Sequence, residues 1–145
     1  MKMKMNTIDP DSVSLKDMIE RGKEFHGHLG PFLVLGIRMG LSALKHLGST
    51  GYSDIHSEVR SGSSPPMSCL ADGVQISTGC TLGKGNIVCL DMRKAEASFS
   101  SNGKSVSYEV NNDILEQIRH LTHDSLEDFS WKISLEPDEA LFSRI

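Results

Sequence analysis

Cysteine, aromatic side chains and surplus positive charge are all scarce in this chain of 145 residues. Cysteine occurs only at 69, 80 and 89. So small and odd a set does not staple a secreted domain, and it fits reduced thiols in a cytoplasmic protein. Lys and Arg total 15 against 19 Asp and Glu. That balance gives no basic field for DNA or RNA, so no nucleic-acid partner is expected. A long charge-free apolar run is also missing. The longest apolar stretch, residues 29–47, carries Arg38 at its middle, where a lipid bilayer would penalise it, so no membrane span is expected. The opening Met-Lys-Met-Lys-Met-Asn has charge but no apolar segment behind it, so no secretory leader is expected either. What remains, with 38% hydrophobic and 23% charged residues, describes one globular domain over 1–145, with 1–13 as a loose N-terminal arm.

Ser14-Leu-Lys-Asp17 resembles a capping box and opens a helix over about 15–25, with Leu15, Met18, Ile19 and Gly22 at helical spacing. His26-Gly-His-Leu-Gly-Pro31 breaks the period, and Pro31 suits the first turn of a second helix reaching residue 47. That helix is apolar on most faces, as a central buried helix is. Gly36, Gly40 and Ala43 line one side of it, a strip suited either to packing within the subunit or to a dimer interface. Residues 55–61 alternate as a strand does, and Ser68 is placed to cap a short helix over about 69–78. Residues 86–92 read as a strand buried on both faces, with Cys89 a packing residue. Ala95–Phe99 and Val106–Val110 alternate around Asn102-Gly103, a type I′ hairpin signal. A last helix starts near Asn111, followed by a short segment holding Trp131 and Pro137. The order α-α-β-α-β-β-β-α gives an α+β class, a mixed four-stranded sheet packed against helices, with one parallel pair made by a crossover.

Three segments carry chemistry. The turn Phe25-His26-Gly27-His28 can aim two imidazoles to one side, a weak metal signal by itself. In Ser68-Cys69-Leu-Ala-Asp72-Gly-Val-Gln75 three polar or reactive side chains share one helix face. Unpaired amides at that helix start favour the Cys69 thiolate, the nucleophilic and metal-binding form. The loop Gly79-Cys80-Thr-Leu-Gly-Lys84-Gly-Asn86 fails as a phosphate loop. One residue is missing between its first glycine and the Gly-Lys pair, no Ser or Thr follows, and the loop leaves a helix rather than opening one. It reads as a tight turn walling a pocket, with Lys84 able to attract an anion. A straight helix would hold Cys69 and Cys80 roughly 16 Å apart, too far for one ion bonding sulfur at ~2.3 Å. Cys69 is therefore the thiol expected to join His26 and His28.

Phe25-His-Gly-His-Leu-Gly-Pro-Phe-Leu-Val-Leu-Gly-Ile-Arg-Met-Gly40, with Cys69-Leu-Ala-Asp72-Gly-Val-Gln75 and Gly79-Cys-Thr-Leu-Gly-Lys-Gly-Asn86, resembles the FmdE family, named for a component of formylmethanofuran dehydrogenase. The similarity covers about residues 15–110. It implies an α+β core, usually dimeric, with a metal site near the His-Gly-His turn and a cleft lined by the Cys-x-x-Asp helix. It also implies a link to the molybdenum or tungsten enzyme of methanogenesis that forms formylmethanofuran. The chain departs from the family at Gly30, where members commonly carry Cys, and it has no Cys after Cys89 for the zinc finger some members add.

The expectation is thus a cytoplasmic, FmdE-like homodimer with a small-molecule cleft. His26, His28 and Cys69 hold a divalent metal such as zinc; Cys69 and Asp72 are the catalytic candidates; Gln75, Cys80 and Lys84 contact the ligand. Two alternatives stand beside it: a non-catalytic accessory or assembly subunit of a molybdenum or tungsten oxidoreductase, and an enzyme with Cys69 as nucleophile and His26 or His28 as base.

Overall fold

The second helix organises the molecule because it is apolar nearly all round and has to be enclosed. In the computed structural model, which describes residues 4–145, helix α1 spans Leu15–His26 and helix α2 Pro31–Leu47. Ser14 accepts a bond from the Asp17 amide at 3.2 Å and so caps α1. Gly27, with φ 101°, ends α1 in the left-handed region where glycine has no Cβ penalty. Leu33, Val34, Leu35, Ile37 and Leu44 of α2 are fully buried. They are covered by helix α3 (Cys69–Thr78), by helix α5 (Leu126–Ser134) and by the sheet.

The sheet has five strands: β1 His56–Val59, β2 Ile87–Cys89, β3 Glu96–Ser101, β4 Lys104–Val110 and β5 Phe142–Arg144. Their spatial order is β2-β1-β3-β4-β5. The β1–β2 pair is parallel, with Ser57 opposite Ile87, and α3 makes the crossover. The other neighbours are antiparallel. Asn102 and Gly103 both take positive φ, 54° and 75°, as the expected hairpin turn requires. Ala97, Phe99, Val106 and Tyr108 point into the core. On the outer face Arg60 bonds Glu96 at 2.6 Å, Glu58 at 2.8 Å and Ser98 at 2.7 Å. One face is therefore helical and dry, the other polar, as the α+β class expects.

Four expectations are corrected. The fifth strand, β5, pairs with β4 and was missed because three residues reading Phe-Ser-Arg show no alternation. The C-terminal segment is more ordered than a short tail. After helix α4 (Asn112–Arg119) it holds a 3-10 turn at His123–Ser125, then α5, then helix α6 (Asp138–Leu141). Two serines on the buried face of α5, Ser130 and Ser134, hide its apolar period. Strand β2 is an edge strand, not one buried on both faces. Val88, Leu90 and Met92 are exposed beside it, and so is Cys89, whose thiol donates to the Gly62 carbonyl at 3.1 Å. Finally, the arm expected to be loose is anchored: Ile8 lies in the core and its amide bonds the Thr50 carbonyl at 2.7 Å. Residues 1–3 of that arm lie outside the described residues.

The glycine strip serves packing within the chain. A Cβ on Gly36 would sit 2.2 Å from the Leu70 carbonyl oxygen, and one on Gly73 would sit 2.2 Å from that of Leu33. Backbone meets backbone there, and Ser77 adds a 3.3 Å bond to the Gly36 carbonyl. This close crossing carries the start of α3 to the turn between α1 and α2. Arg38, awkward for a membrane helix, bonds the Ser134 carbonyl and the Asp138 carboxylate, each at 2.8 Å. It thereby ties the end of α5 to α2 and satisfies a carbonyl orphaned at the helix end.

Candidate metal centre

His26 closes α1, His28 lies in the turn before α2, and Cys69 opens α3. Left-handed Gly27 turns the chain between the two imidazoles, whose ring centres are 4.6 Å apart. One donor atom from each of His26, His28 and Cys69 lies within 4.8 Å of the other two. Three donors from separate elements thus face one point.

The second ring of groups fixes how His26 presents itself. Its Nδ1 lies 2.5 Å from Asp72 Oδ2, and Gln75 Nε2 donates to Asp72 Oδ1 at 3.2 Å. With the carboxylate ionised, Nδ1 carries the proton and Nε2 is left with a lone pair. Nε2 is buried and has no hydrogen-bond partner among the described residues. Leaving such an atom unpaired costs about 1–3 kcal/mol. A carboxylate on one nitrogen and a free lone pair on the other is the arrangement that orients a metal-ligating histidine. The donor set therefore fits a metal on the geometry of the protein atoms alone.

Cys69 corrects one expectation. Ser68 has helical angles and makes no side-chain cap, and the preceding turns already occupy the first amides of α3. The Cys69 amide bonds the Pro66 carbonyl at 3.1 Å and the Ala71 amide bonds that of Ser68 at 3.0 Å. The field expected to favour the thiolate is thus largely satisfied locally. Burial raises the thiol above its usual range, and the Asp72 charge raises it further. The metal-free thiol is consequently a poor nucleophile at neutral pH, which weighs against the cysteine-enzyme reading. Site-resolved alkylation by iodoacetamide should find Cys69 of the metal-free protein slower than an ordinary thiol with pKa ~8.5. Asp72→Asn removes the charge, lowers the thiol pKa and should speed the reaction. Fast alkylation of wild-type Cys69 at pH 7 would contradict this.

Of the residues singled out in the sequence, His26, His28, Cys69, Asp72 and Gln75 come together, and Cys80 and Lys84 stand apart. Cys80 is fully buried, 3.3 Å from Ser57 Oγ, and its thiol donates to the Ile55 carbonyl at 3.6 Å. The Lys84 ammonium donates to the Gly79 carbonyl at 2.7 Å and to Thr81 Oγ1 at 3.1 Å. There it neutralises the negative end of α3 and braces its own loop. Sequence reasoning missed Arg21, Phe25 and Tyr52, which line a cavity of about 550 Å³ that Gln75 also lines. Arg21 and Phe25 are four apart on α1, a spacing that marks one helix face; no comparable signal points to Tyr52.

A mixed sheet closed on one face by helices, with a His/His/Cys cluster where three elements meet, defines an α+β protein with a candidate metal centre. The profile of the family described as "FmdE, Molybdenum formylmethanofuran dehydrogenase operon" matches residues 25–142. The chain belongs to the FmdE family. A crystal structure of an FmdE-like protein of tungsten formylmethanofuran dehydrogenase type from Syntrophus aciditrophicus superposes with a TM-score of 0.70 at 22% identity. The match covers 97% of this chain and 77% of that one. A probable S-adenosyl-L-methionine-binding protein of Archaeoglobus fulgidus is 42% identical over 87 residues, which is 55% of this chain. The match spans only 22% of that longer relative. No helix among the described residues is long and apolar enough to cross a membrane.

Proposed function

We infer that the chain is a zinc-binding protein whose metal faces a small-molecule cleft. His26 Nε2, an imidazole nitrogen of His28 and the Cys69 sulfur would hold the ion. The observation that carries this reading is the buried, unpartnered Nε2 of a histidine whose other nitrogen is held by Asp72. Two imidazoles and one thiolate suit a borderline-soft ion, which favours zinc over magnesium or calcium. Bound there, the ion would supply Lewis acidity, and three protein donors leave a position for a non-protein ligand. Asp72 keeps the proton on Nδ1 and the ring in place, and Gln75 holds Asp72. We place this protein in the cytoplasm as a homodimer. Metal analysis of untagged protein should give about one equivalent of zinc per chain. A content below about a tenth, unchanged by Cys69→Ala, would overturn the reading.

A second reading is an accessory or assembly subunit of a molybdenum or tungsten oxidoreductase of methanogenesis. The family's description favours it. Purification from native cells separates the two, since a stable larger complex supports the accessory role and a lone homodimer opposes it. The name of the Archaeoglobus relative adds S-adenosyl-L-methionine as a ligand to test by titration calorimetry. The aromatic cavity beside Gln75 is the feature that favours it.

A further inference from the structure

We propose that the cavity between α1, α3 and the loop after α3 binds a small organic anion with a flat apolar body, and that Arg21 holds the anionic group. This deepens the small-molecule reading above and moves the anion contact from Lys84 to Arg21. The cavity measures about 550 Å³, a size that encloses a ligand of drug-like dimensions. Its lining divides by chemistry. Phe25, Tyr52, Ile76 and Leu82 supply apolar surface, Arg21 the positive charge, and Gln75 an amide. Phe25 is 58% exposed and Leu82 84% exposed. Two large apolar side chains left in water around one hollow mark a surface built to be covered.

The charges decide the class. Arg21 forms no ion pair among the described residues, although Lys23 on the same helix is paired with Glu127 and Lys45 with Asp11. Lys84 is engaged by its own loop and lies outside the lining. Among the described residues no carboxylate lines the cavity, so it carries one uncompensated positive charge. A guanidinium offers a fork of donors suited to a carboxylate, sulfonate or phosphate. Gln75 gives one amide hydrogen to Asp72, and its carbonyl is left to accept from a ligand. A bound molecule would then touch Gln75, two hydrogen bonds from the His26 ring. Ligand chemistry and metal centre are thus joined through a named chain of contacts.

The test uses the full chain and two dyes of similar shape: anilinonaphthalene sulfonate, which is anionic, and phenylnaphthylamine, which lacks the sulfonate. Saturable binding of one sulfonate dye per chain is expected. Arg21→Gln, a change at an exposed helix position, should weaken the sulfonate dye about tenfold and alter the neutral dye less than about twofold. Phe25→Ala should weaken both. The same Arg21 dependence should persist in His28→Ala protein that has lost its zinc. The anion site and the metal reading can therefore fail separately. Absence of saturable binding, or no effect of Arg21→Gln, would overturn the proposal. So would transfer of the signal to the apolar groove at Trp131 and Leu135, shown by its loss in Leu135→Ser. Dissociation of a dimer on Leu82→Asp, without any Arg21-dependent dye binding, would assign the cavity to a second copy of the chain and would equally overturn it.

Discussion

Replacing Gly36 by alanine is expected to lower the melting temperature by roughly 10 °C. The new Cβ would stand 2.2 Å from the Leu70 carbonyl oxygen, 2.9 Å from the Val74 nitrogen and 3.0 Å from the Gly73 Cα. All three are backbone atoms, so no side-chain rotation relieves the clash and the two helices must separate. Overpacking of this kind costs about 3 kcal/mol or more, against the ~1 kcal/mol that alanine gains over glycine in a helix interior. For a domain of this size each kcal/mol is worth about 2–4 °C. Gly73→Ala should behave alike, because its Cβ would meet the Leu33 carbonyl oxygen at 2.2 Å. Gly83→Ala is the control, since nothing lies within 4 Å of its Cβ position. Calorimetry checks all three. A melting temperature unchanged within about a degree in Gly36→Ala would show that the crossing is looser than described. The folded fraction should also lose zinc affinity, since α2 and α3 together position the histidine turn against Cys69.

Removal of a single donor should have the largest effect on metal binding. His26→Ala, His28→Ala and Cys69→Ala are each expected to weaken zinc by about a hundredfold or more, as befits loss of one ligand from a site worth on the order of 10 kcal/mol. Asp72→Asn leaves the donors in place but weakens the hold on His26, and should cost about 10–100-fold. Competition with a chromophoric chelator gives these numbers. The double variant His26→Ala/Cys69→Ala should fall short of the summed losses, because both donors serve one ion. Simple additivity, or an affinity unmoved by any single change, would mean that no shared ion exists. The pH dependence has a definite sign. The Cys69 thiol lies above its usual range in the metal-free chain and is protonated at neutral pH. Binding releases that proton, so zinc affinity should rise about tenfold per pH unit between pH 7 and 8. With both histidines neutral there, a flat profile would point to a site without the thiol.

The helices were legible wherever a period of 3.6 ran uninterrupted. The boundaries of α1, α2 and α3 follow from Ser14, Pro31 and the glycines at 27, 48 and 79. Alternation and Asn102-Gly103 likewise located β3 and β4. The exposed side of β2 was not legible. Asn86–Met92 is apolar in composition, and only the sheet order reveals that the strand lies at an edge. The same limit hid β5 and α5, where three residues or two inward serines leave no hydrophobic period to read.

The site divides along the same line. Two imidazoles one residue apart, with a cysteine, an aspartate and a glutamine at three-residue steps, name the donors and their partners without coordinates, because those relations are local. Their convergence is not local. It depends on Gly36 and Gly73 letting two helix backbones touch, which brings residues more than 40 positions apart into one cluster. The state of Cys69 was likewise settled by tertiary structure, through burial and the Asp72 charge rather than the helix start. The roles left to Cys80 and Lys84, one inside the core and one bracing its own loop, follow from which groups pack against them. Residue type and spacing specify what chemistry is available, whereas burial, charge neighbours and long-range approach decide which of those groups can use it.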